Sequence, residues 1–434
     1  MASSQPGMPP LSVTVRLVAT VGLAAILSQF LRGSVSVLAP DLMREIGIPA
    51  ESLGLLTGVF FFTHAAMQLP NGVFLDRYGP RIVYTVSLCL LCIGTVMFAF
   101  AESVTGLFVA RFFMGLGASA LVLGAMVLFS RWYPSDRFPQ MIAIVISISN
   151  IGTLSATTPL AAAAEWIGWR ESFLVVAAVN LLAILLAILF VRDAPGRDAA
   201  RAAAKEARGE SLGAALVTAV KLFAHPKIRL LLPISLVAYA AVMSVQALWG
   251  GPYLHDVHGL GLEERSYVLF GMAIVTLLAP IGWGWLGTRI GPRDTVFVGA
   301  GLTVAFTAAF ALLPKVGLVP AAVLVMGFGV TAGYGIMLPA TARLFLPESL
   351  SARAMTVTNI ATIGGVSLWH VITGYIIGAF PPADGLIPEE AFRAMFAVFA
   401  VFAVVAGIVY WRIGPLPAAP PDEEAALAPA LPRN

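Results

Sequence analysis

Long apolar stretches separated by short polar connectors run through the whole chain. A helix needs about 20 apolar residues to cross the roughly 30 Å hydrocarbon core of a bilayer. Twelve stretches reach about this length: 15–39, 53–75, 82–101, 105–129, 139–163, 172–191, 229–254, 266–287, 295–313, 318–342, 354–380 and 391–411. Lipid offers no hydrogen-bond partner to an open strand edge, so each stretch is predicted to be helical. The pattern predicts an all-α membrane protein with twelve transmembrane helices, numbered here as spans 1 to 12.

One connector is much longer than the others and divides the spans into six and six. Its first part is charged and rich in alanine, and its part from Ser211 to His225 has apolar residues that could lie along the membrane surface. The segment after Pro415 has the composition of a disordered tail. The predicted divisions are an N-terminal tail 1–14, a six-helix bundle 15–191, a central loop 192–228, a second six-helix bundle 229–411 and a tail 412–434.

Composition supports this membrane interpretation. Apolar residues make up 59% of the chain and charged residues only 11%, whereas soluble proteins carry about a quarter charged residues. The net charge of +3 gives no reason to expect nucleic-acid binding. No nucleophile–base pair or ligand cluster stands out in a plausible water-facing site, so we expect no enzyme activity and no cofactor. The partners predicted are a bilayer and a small molecule, with a functional monomer.

The distribution of basic residues predicts the orientation. With both termini in the cytoplasm, nineteen of the 26 lysines and arginines lie on the cytoplasmic face and five on the opposite face, Arg265 among them. Acidic residues divide almost evenly, so the bias follows the positive-inside rule. The first 13 residues carry no basic residue, which argues against a cleaved signal peptide. Abundant alanine and a strong preference for arginine over lysine indicate a bacterial source, and hence the inner membrane.

The two halves share an internal repeat. The loop after span 2 reads GVFLDRYGPR from Gly72, and the loop after span 8 reads GWLGTRIGPR from Gly284. Glycine, arginine, glycine, proline and arginine recur at an offset of 212, and the same offset relates positions in three further regions. A shared offset over the chain predicts parallel repeats related by a pseudo-two-fold axis along the membrane normal.

These motifs resemble a known family. GVFLDRYGPR is similar to the loop signature of the major facilitator superfamily, with Pro80 in place of one arginine. Residues 107–119, with Arg111, Gly115 and Gly117, resemble the superfamily's span-4 motif. The resemblance covers all twelve spans and implies two six-helix bundles, a central cavity and alternating access.

The signature loop suggests a conformational latch. Gly72 is expected to let two backbones approach closely, and Gly79 to permit a tight turn. The resemblance implies that Asp76 lies against the N-terminus of span 11, near 353–355, where partial positive charge favours a carboxylate. The alternative is a solvated loop that only sets orientation. The predicted gating residues are Gly72, Asp76, Arg77, Gly79 and Arg81.

Two arginines, Arg32 in span 1 and Arg111 in span 4, lie within the predicted membrane. An arginine costs roughly 2.5–3.5 kcal/mol at a helix centre and normally faces the interior of the bundle. Every carboxylate in the sequence falls in a loop, at a span boundary or in the tail. The sequence therefore predicts that an anionic substrate supplies the missing charge. The alternatives are contacts with backbone carbonyls or helix ends and, for Arg111, a role in coupling or packing.

An arginine late in span 1 also resembles the organic-anion branches of the superfamily, including organophosphate and sugar-acid carriers. Phosphate carriers of this kind commonly have a second basic residue in span 7, but residues 243–249 of this chain contain none. That departure favours a carboxylate. The predicted substrate-binding residues are Arg32, Arg111, Gln246, Trp249, Tyr334 and His370.

Histidine is the remaining intramembrane side chain that titrates near neutral pH. His64 in span 2 and His370 in span 11 are therefore candidates to carry a co-transported proton, although a buried neutral histidine is at least as common. Import by proton symport is the preferred mode, because an anion entering a negative-inside cell needs a compensating cation. Exchange of anions meets the same need.

Other functions stay open. Proton-coupled drug or metabolite efflux is one, but residues 152–161 depart from the exporters' span-5 motif at most positions. Uptake of peptides, siderophores or copper is another, since Cys89 and Cys92 have CxxC spacing and His64 and Met67 could add soft ligands. A transport-inactive sensor is a third. The sequence favours a secondary transporter of a small organic anion, most simply a carboxylate.

Overall fold

A computed structural model describes residues 9–134, 136–194, 212–313 and 317–417. Within these ranges the chain is helical, with one isolated bridge between Ala383 and Leu386 and no strand. In chain order the α-helices are α1 Leu11–Ile46, α2 Ala50–Ala66, α3 Gln68–Ala99, α4 Val104–Ser119, α5 Leu121–Trp132, α6 Phe138–Ser155, α7 Thr158–Ile167, α8 Trp169–Phe190, α9 Leu212–Ala224, α10 Pro226–Ala238, α11 Ala240–Ser244, α12 Gly250–Pro252, α13 Leu262–Leu312, α14 Leu318–Phe328, α15 Met337–Arg343, α16 Glu348–Gly378 and α17 Glu389–Trp411.

Ten helical stretches in the described ranges are long and apolar enough to cross a membrane. Several join consecutive helices across a small break: α4 and α5 form one stretch, and α14 continues through two short 3-10 segments to α15. Apolar side chains cover much of the molecular surface along these helices, as expected where lipid is the solvent. The chain is therefore an all-helical, multi-pass membrane protein.

Two of the ten stretches contain a break at corresponding positions of the repeat. Gly79 in α3 has φ 79° and ψ 157°, and Gly291 in α13 has φ 82° and ψ 161°. Only glycine adopts this backbone conformation without strain. Pro80 and Pro292 follow, and proline suits the first turn of the next helical arm. Positions 212 residues apart therefore share a backbone geometry as well as a sequence.

The first helix is longer than its apolar stretch predicts. The apolar pattern predicts span 1 at 15–39, but α1 continues through Pro40 to Ile46 and ends at Gly47 in the left-handed region. A proline inside a helix removes only one backbone hydrogen bond, and packing can offset that loss. As a result, Asp41 and Arg44 extend from a rigid helix end and not from a loop.

The stretch Pro226–Val257 is irregular. After Tyr239 it contains two π-helical segments, Val245–Trp249 and Tyr253–Val257, that flank α12. π-Helical turns are uncommon and occur frequently at functional sites. Gln246 and Trp249 both lie on the first of these segments, and the second carries Asp256.

Contacts between helix ends define the two ends of the bundle. At one end the Lys227 ammonium donates to the Ile413 carbonyl and the Arg16 guanidinium lies over the Phe190 ring. This is the predicted cytoplasmic end. At the other end Trp169 donates its indole N–H to Glu45. We call these the terminal end and the outer end.

The halves pack tightly at the outer end. A Cβ added at Gly54 in α2 would lie 2.4 Å from the His370 carbonyl oxygen and 2.8 Å from the Cα of Gly374, both in α16. Gly251 donates its N–H to the Ser36 hydroxyl over 3.2 Å, which places α12 directly against α1. Small residues allow such close backbone approach between membrane helices. The outer end is therefore closed in this structure.

Candidate functional site

Arg32 lies between the two halves of the molecule. Its side chain is half-buried, and its guanidinium carbon is 5.9 Å from the centre of the Phe61 ring. One Nη atom donates a long hydrogen bond of 3.4 Å to the hydroxyl of Tyr239 on the opposite half. The buried Nε has no hydrogen-bond partner in the described part of the chain. Arg32 thus contacts only neutral groups and keeps donors available.

Arg111 is fully buried next to the same site. Its Nη1 donates to the Leu31 carbonyl over 2.7 Å, and the guanidinium lies 4.6 Å from the centre of the Phe60 ring. Its Nε and Nη2 make no hydrogen bond with any described residue. The carbonyl contact is one of the alternatives considered for a buried arginine. Because Leu31 precedes Arg32, this bond also brings the two guanidinium-bearing helices together.

Both histidines line the same aromatic cluster. The buried His64 ring is 6.3 Å from Phe60, and the buried His370 ring meets Phe61 edge-on at 5.2 Å. The positive charge of Arg32 acts on His64, and the positive charge of Arg111 acts on His370. The structure therefore brings four of the predicted site residues together, from α1, α2, α4 and α16.

Gln246 has the environment expected of a ligand-binding side chain. It is 6% exposed, and neither its amide oxygen nor its amide nitrogen has a partner among the described residues. A buried polar group normally finds a hydrogen bond, so an amide with no partner in the described protein is a candidate to bind a ligand. Its π-helical segment packs against α1 and α2, the helices that carry Arg32 and His64.

Trp249 and Tyr334 are used within the C-terminal half. The Trp249 indole N–H donates to the Thr373 hydroxyl over 2.8 Å, joining its segment to α16. Tyr334 is fully buried against Gly299 and the Trp283 ring of α13. Neither contact reaches Arg32, so their roles in substrate binding stay predictions.

Sequence reasoning did not select Tyr239. It lies seven residues before Gln246, and residues i and i+7 share one face of a helix. The spacing of seven residues between Tyr239 and the predicted binding residue Gln246 was the signal in the sequence. Because an intervening π-helical turn changes that register, only the structure shows the hydroxyl against Arg32.

The predicted signature loop, residues 72–81, is helical and belongs to α3 apart from the break at Gly79, and Arg81 bonds it to the end of α8 and the residues that follow. Arg81 donates its backbone N–H to the Asp193 carboxylate over 2.8 Å, and its Nη2 to the Ile188 carbonyl over 3.0 Å. Gly79 lies against the same carboxylate, where a Cβ would be 2.6 Å from Asp193 Oδ1. The close backbone approach expected at Gly72 does not occur in this conformation, since nothing lies within 4 Å of a Cβ added there. Its part in gating stays a prediction.

Asp76 does not form the predicted latch in this structure. Its side chain is exposed and makes no hydrogen bond or ion pair with a described residue, while Arg77 lies over the Tyr78 ring. The basic residue whose charge acts on Asp76 is Arg131 at the end of α5. A latch that forms only when the terminal end closes would be unmade when the outer end is closed.

We expect Asp76→Asn to lower the transport rate about tenfold while surface expression falls much less. A carboxylate at a helix N-terminus contributes up to about 2 kcal/mol, and the substitution removes that charge from one conformation only. Transport in vesicles, normalised to the amount of protein in the membrane, is the measurement. Equal losses in transport and expression would leave Asp76 with a folding role.

The structure shows Arg265 buried in an ion pair, which the sequence does not predict. Its sequence position, just before span 8, suggested an outer loop, but its side chain is only 2% exposed. Its Nη2 pairs with Asp41 Oδ2 at 2.5 Å, and its Nε donates to the Val37 carbonyl over 3.1 Å. The pair joins α13 to α1 at the closed outer end. In the sequence, the position of Arg265 directly before an apolar stretch was the signal that it could be buried. Its partner Asp41 lies beyond Pro40, and the structure shows that α1 continues that far.

We expect Asp41→Asn to open the outer end. Removing one member of a buried ion pair leaves Arg265 without its counter-charge, and partial exposure of Asp41 moderates the cost to roughly 1–3 kcal/mol. That corresponds to about a 5- to 150-fold change in the ratio of closed to open molecules. The distance between spin labels at Glu102→Cys and Asp384→Cys, with the native cysteines replaced, measures it. An unchanged distance distribution would contradict this role.

The CxxC pair lies away from this cluster. Cys89 and Cys92 are free, and the buried Cys92 thiol points to the Ala177 carbonyl of α8 at 3.7 Å. Residues 9–134, 136–194, 212–313 and 317–417 contain no group of three or more His, Cys, Asp or Glu side chains placed to hold a metal. The copper alternative gains no support from this arrangement.

Sequence comparisons identify related proteins. Residues 21–368 match the family described as the Major Facilitator Superfamily. The chain is 32% identical to a protein of Cupriavidus necator named "Probable sulfoacetate transporter" over 60% of this chain and 60% of that protein. It is 24% identical to the hexuronate transporter of Bacillus subtilis over 57% of this chain and 58% of the relative. The chain thus spans about three fifths of the length of these two relatives.

Structural comparisons agree on the fold. A nucleoside transporter superposes with a TM-score of 0.76 at 14% identity, covering 93% of this chain and 99% of its own. A bacterial homologue of the human lysosomal transporter Spinster, in an inward-facing and unoccupied conformation, gives 0.74 at 19% identity and covers 93% and 98%. At these identities the likeness concerns the fold.

Proposed function

Because the chain belongs to the Major Facilitator Superfamily, we propose that it transports a small organic anion, most simply a carboxylate, by alternating access. The observation that carries this proposal is a pair of arginines that meet at Leu31. Arg32 follows Leu31 in α1, and Arg111 of α4 donates to the Leu31 carbonyl. Each contacts only carbonyl, hydroxyl, thioether or aromatic groups of the described protein and keeps unpaired donors. A guanidinium offers a planar fork of donors that matches a carboxylate.

The proposed architecture has twelve membrane crossings. The break at Gly291 divides α13 into two crossings, and the break at Gly79 separates a crossing made of α2 and the start of α3 from a second one made of the rest of α3. Bundles 15–191 and 229–411 would then be related by a pseudo-two-fold axis, joined by the loop 192–228 and flanked by the tails 1–14 and 412–434. The positive-inside bias supports cytoplasmic termini, and the composition supports a bacterial inner membrane.

In the proposed site, Arg32 recognises the anionic group and Arg111 assists it. Gln246 supplies a neutral donor and acceptor from the opposite half, while Trp249, Tyr334 and His370 complete the C-terminal wall. We propose that Asp76, Arg77 and Arg81, with Gly72 and Gly79, bias the terminal end between its open and closed states. The Arg81 contact with α8 supports a mechanical link from this loop to the N-terminal bundle.

The relatives support an anionic substrate. Sulfoacetate and hexuronate, for which the two relatives are named, both carry negative charge. Coupling can follow two routes: symport with a proton carried by His64 or His370, or exchange of one anion for another. Efflux of drugs, uptake of peptides, siderophores or copper, and a sensor role are the competing functions.

A thermal-shift panel on purified protein tests the substrate class. Sulfoacetate, a hexuronate, inorganic phosphate, amino acids, short peptides and metal cations are compared at matched ionic strength. A ligand present at a hundred times its Kd stabilises the folded state by about 2.7 kcal/mol. We expect a carboxylate to raise the melting temperature. Stabilisation by peptides or cations alone would overturn the proposal, and binding without flux in liposomes would favour a sensor.

A further inference from the structure

We propose that this carrier exchanges one anion for another and does not couple anion movement to a proton, an inference that rests on the proposed function. The evidence is the charge of the site. Arg32 contacts the Tyr239 hydroxyl and the Phe61 ring, and Arg111 contacts the Leu31 carbonyl and the Phe60 ring. The two guanidinium groups therefore bring two positive charges into the site, and none of these contacts neutralises them.

Unneutralised charges resist the empty carrier's return step. Alternating access requires the site to pass through an occluded state from which water is excluded. Charges taken out of water without a partner are costly, whereas charges paired with an anion are less so. Arg111 already has no exposed surface. The loaded carrier therefore reorients more readily than the empty one, and each turn in one direction is followed by a return with a second anion.

Proton symport needs a different charge arrangement. A group that pairs with the arginines when it is deprotonated would let the empty carrier return neutral. Among the described residues, the titratable groups facing these arginines are His64, His370 and Tyr239. A histidine is neutral when deprotonated and positive when protonated, so in neither state does it neutralise a guanidinium. Each histidine adds positive charge on protonation, beside Arg32 or Arg111, where the charge is already positive, and the Tyr239 hydroxyl meets Arg32 as a neutral hydrogen-bond acceptor.

Asp41 is the carboxylate on the same helix as Arg32 that forms an ion pair, but its partners are other arginines. Asp41 pairs with Arg265 at the outer end and with Arg44 on the same helix. Asp41 therefore lies at the closed outer end, nine residues along α1 from Arg32. Its charge is already matched by two other arginines.

Uptake of radiolabelled sulfoacetate into proteoliposomes tests the transport mode, with a hexuronate as a second probe. One set of liposomes holds the unlabelled anion, and the other holds only Tris chloride and an inward-directed proton gradient. We expect uptake into the anion-loaded set to be at least about tenfold faster, because empty return with unpaired arginines crosses a higher barrier. Collapsing the pH gradient leaves that exchange unchanged.

Two outcomes separate this inference from the proposed function. Equal or faster uptake into liposomes with only the proton gradient would overturn exchange and keep the organic-anion carrier. No uptake of either anion in either set would overturn the inference, and it would overturn the proposed function as well if thermal shifts also showed no anion binding.

A substitution supplies the missing counter-charge. His64→Glu places a carboxylate next to Arg32, so we expect uptake without internal anion to rise at least about fivefold relative to exchange and to depend on pH. His64→Gln is the matched neutral variant, and because it supplies no carboxylate it should gain no net uptake relative to exchange. A loss of net uptake in His64→Gln with exchange intact would show that His64 carries a proton, and would overturn the inference.

Discussion

Arg32→Gln is expected to weaken anion binding by about tenfold to a hundredfold and to reduce transport to background. A hydrogen bond to a charged group contributes about 1.5–3 kcal/mol, and glutamine keeps a donor but loses the charge and the planar fork. Arg32→Lys keeps the charge without the fork and should fall between wild type and Arg32→Gln. Titration calorimetry with the anion found in the thermal-shift panel measures both variants.

Arg16→Gln is the matched control for this prediction. Arg16 lies on the same helix at the terminal end, over the Phe190 ring and far from the site along α1. Its substitution should leave the anion affinity unchanged. A similar loss of affinity in both variants would point to a general effect on α1. Wild-type affinity in Arg32→Gln would remove Arg32 from the site and with it the basis for an anionic substrate.

Several features of the fold could be predicted from sequence because local physics determines them. Apolar length predicts a membrane helix, and the offset of 212 residues predicts that Gly79 and Gly291 share a role. The structure shows the same left-handed backbone at both. The unpaired state of Arg32 and Arg111 also followed from the sequence, since no carboxylate occurs within the central parts of the spans.

Other features depend on how helices pack, which a single sequence does not specify. Arg265 meets Asp41 only because α1 passes through Pro40 and α13 starts beside it. The bond from Trp249 to Thr373 and the packing of Tyr334 against Gly299 likewise depend on the rotation of their helical segments. Helix rotation and π-helical turns are set by contacts with neighbouring helices, so composition and periodicity do not reveal them.

Helix α16 connects the binding site to the closed outer end. His370 contributes its ring to the aromatic cluster at Phe61 and its carbonyl to the contact with Gly54. A movement of α16 relative to α2 therefore changes both the site and the packing at the outer end. This shared helix gives a physical route by which an anion that repositions the cluster can bias the closure of the outer end.

Gly54→Val is expected to prevent closure of the outer end and to reduce transport by roughly a hundredfold. The added side chain would meet the His370 carbonyl oxygen and the Gly374 Cα, which are backbone atoms and cannot rotate away. Overpacking costs about 1–3 kcal/mol, and here it acts on the closed conformation only. The label pair at Glu102→Cys and Asp384→Cys should report a longer distance.

Gly301→Val is the matched control, because nothing lies within 4 Å of a Cβ added at Gly301 on α13. It carries the same helix penalty for a β-branched residue and should keep wild-type transport and label distances. If Gly54→Val transports at the wild-type rate, the backbone contact between α2 and α16 is not needed for the transport cycle. Loss of transport with an unchanged label distance would place the defect in the aromatic cluster at His370, one turn from Gly374 along α16.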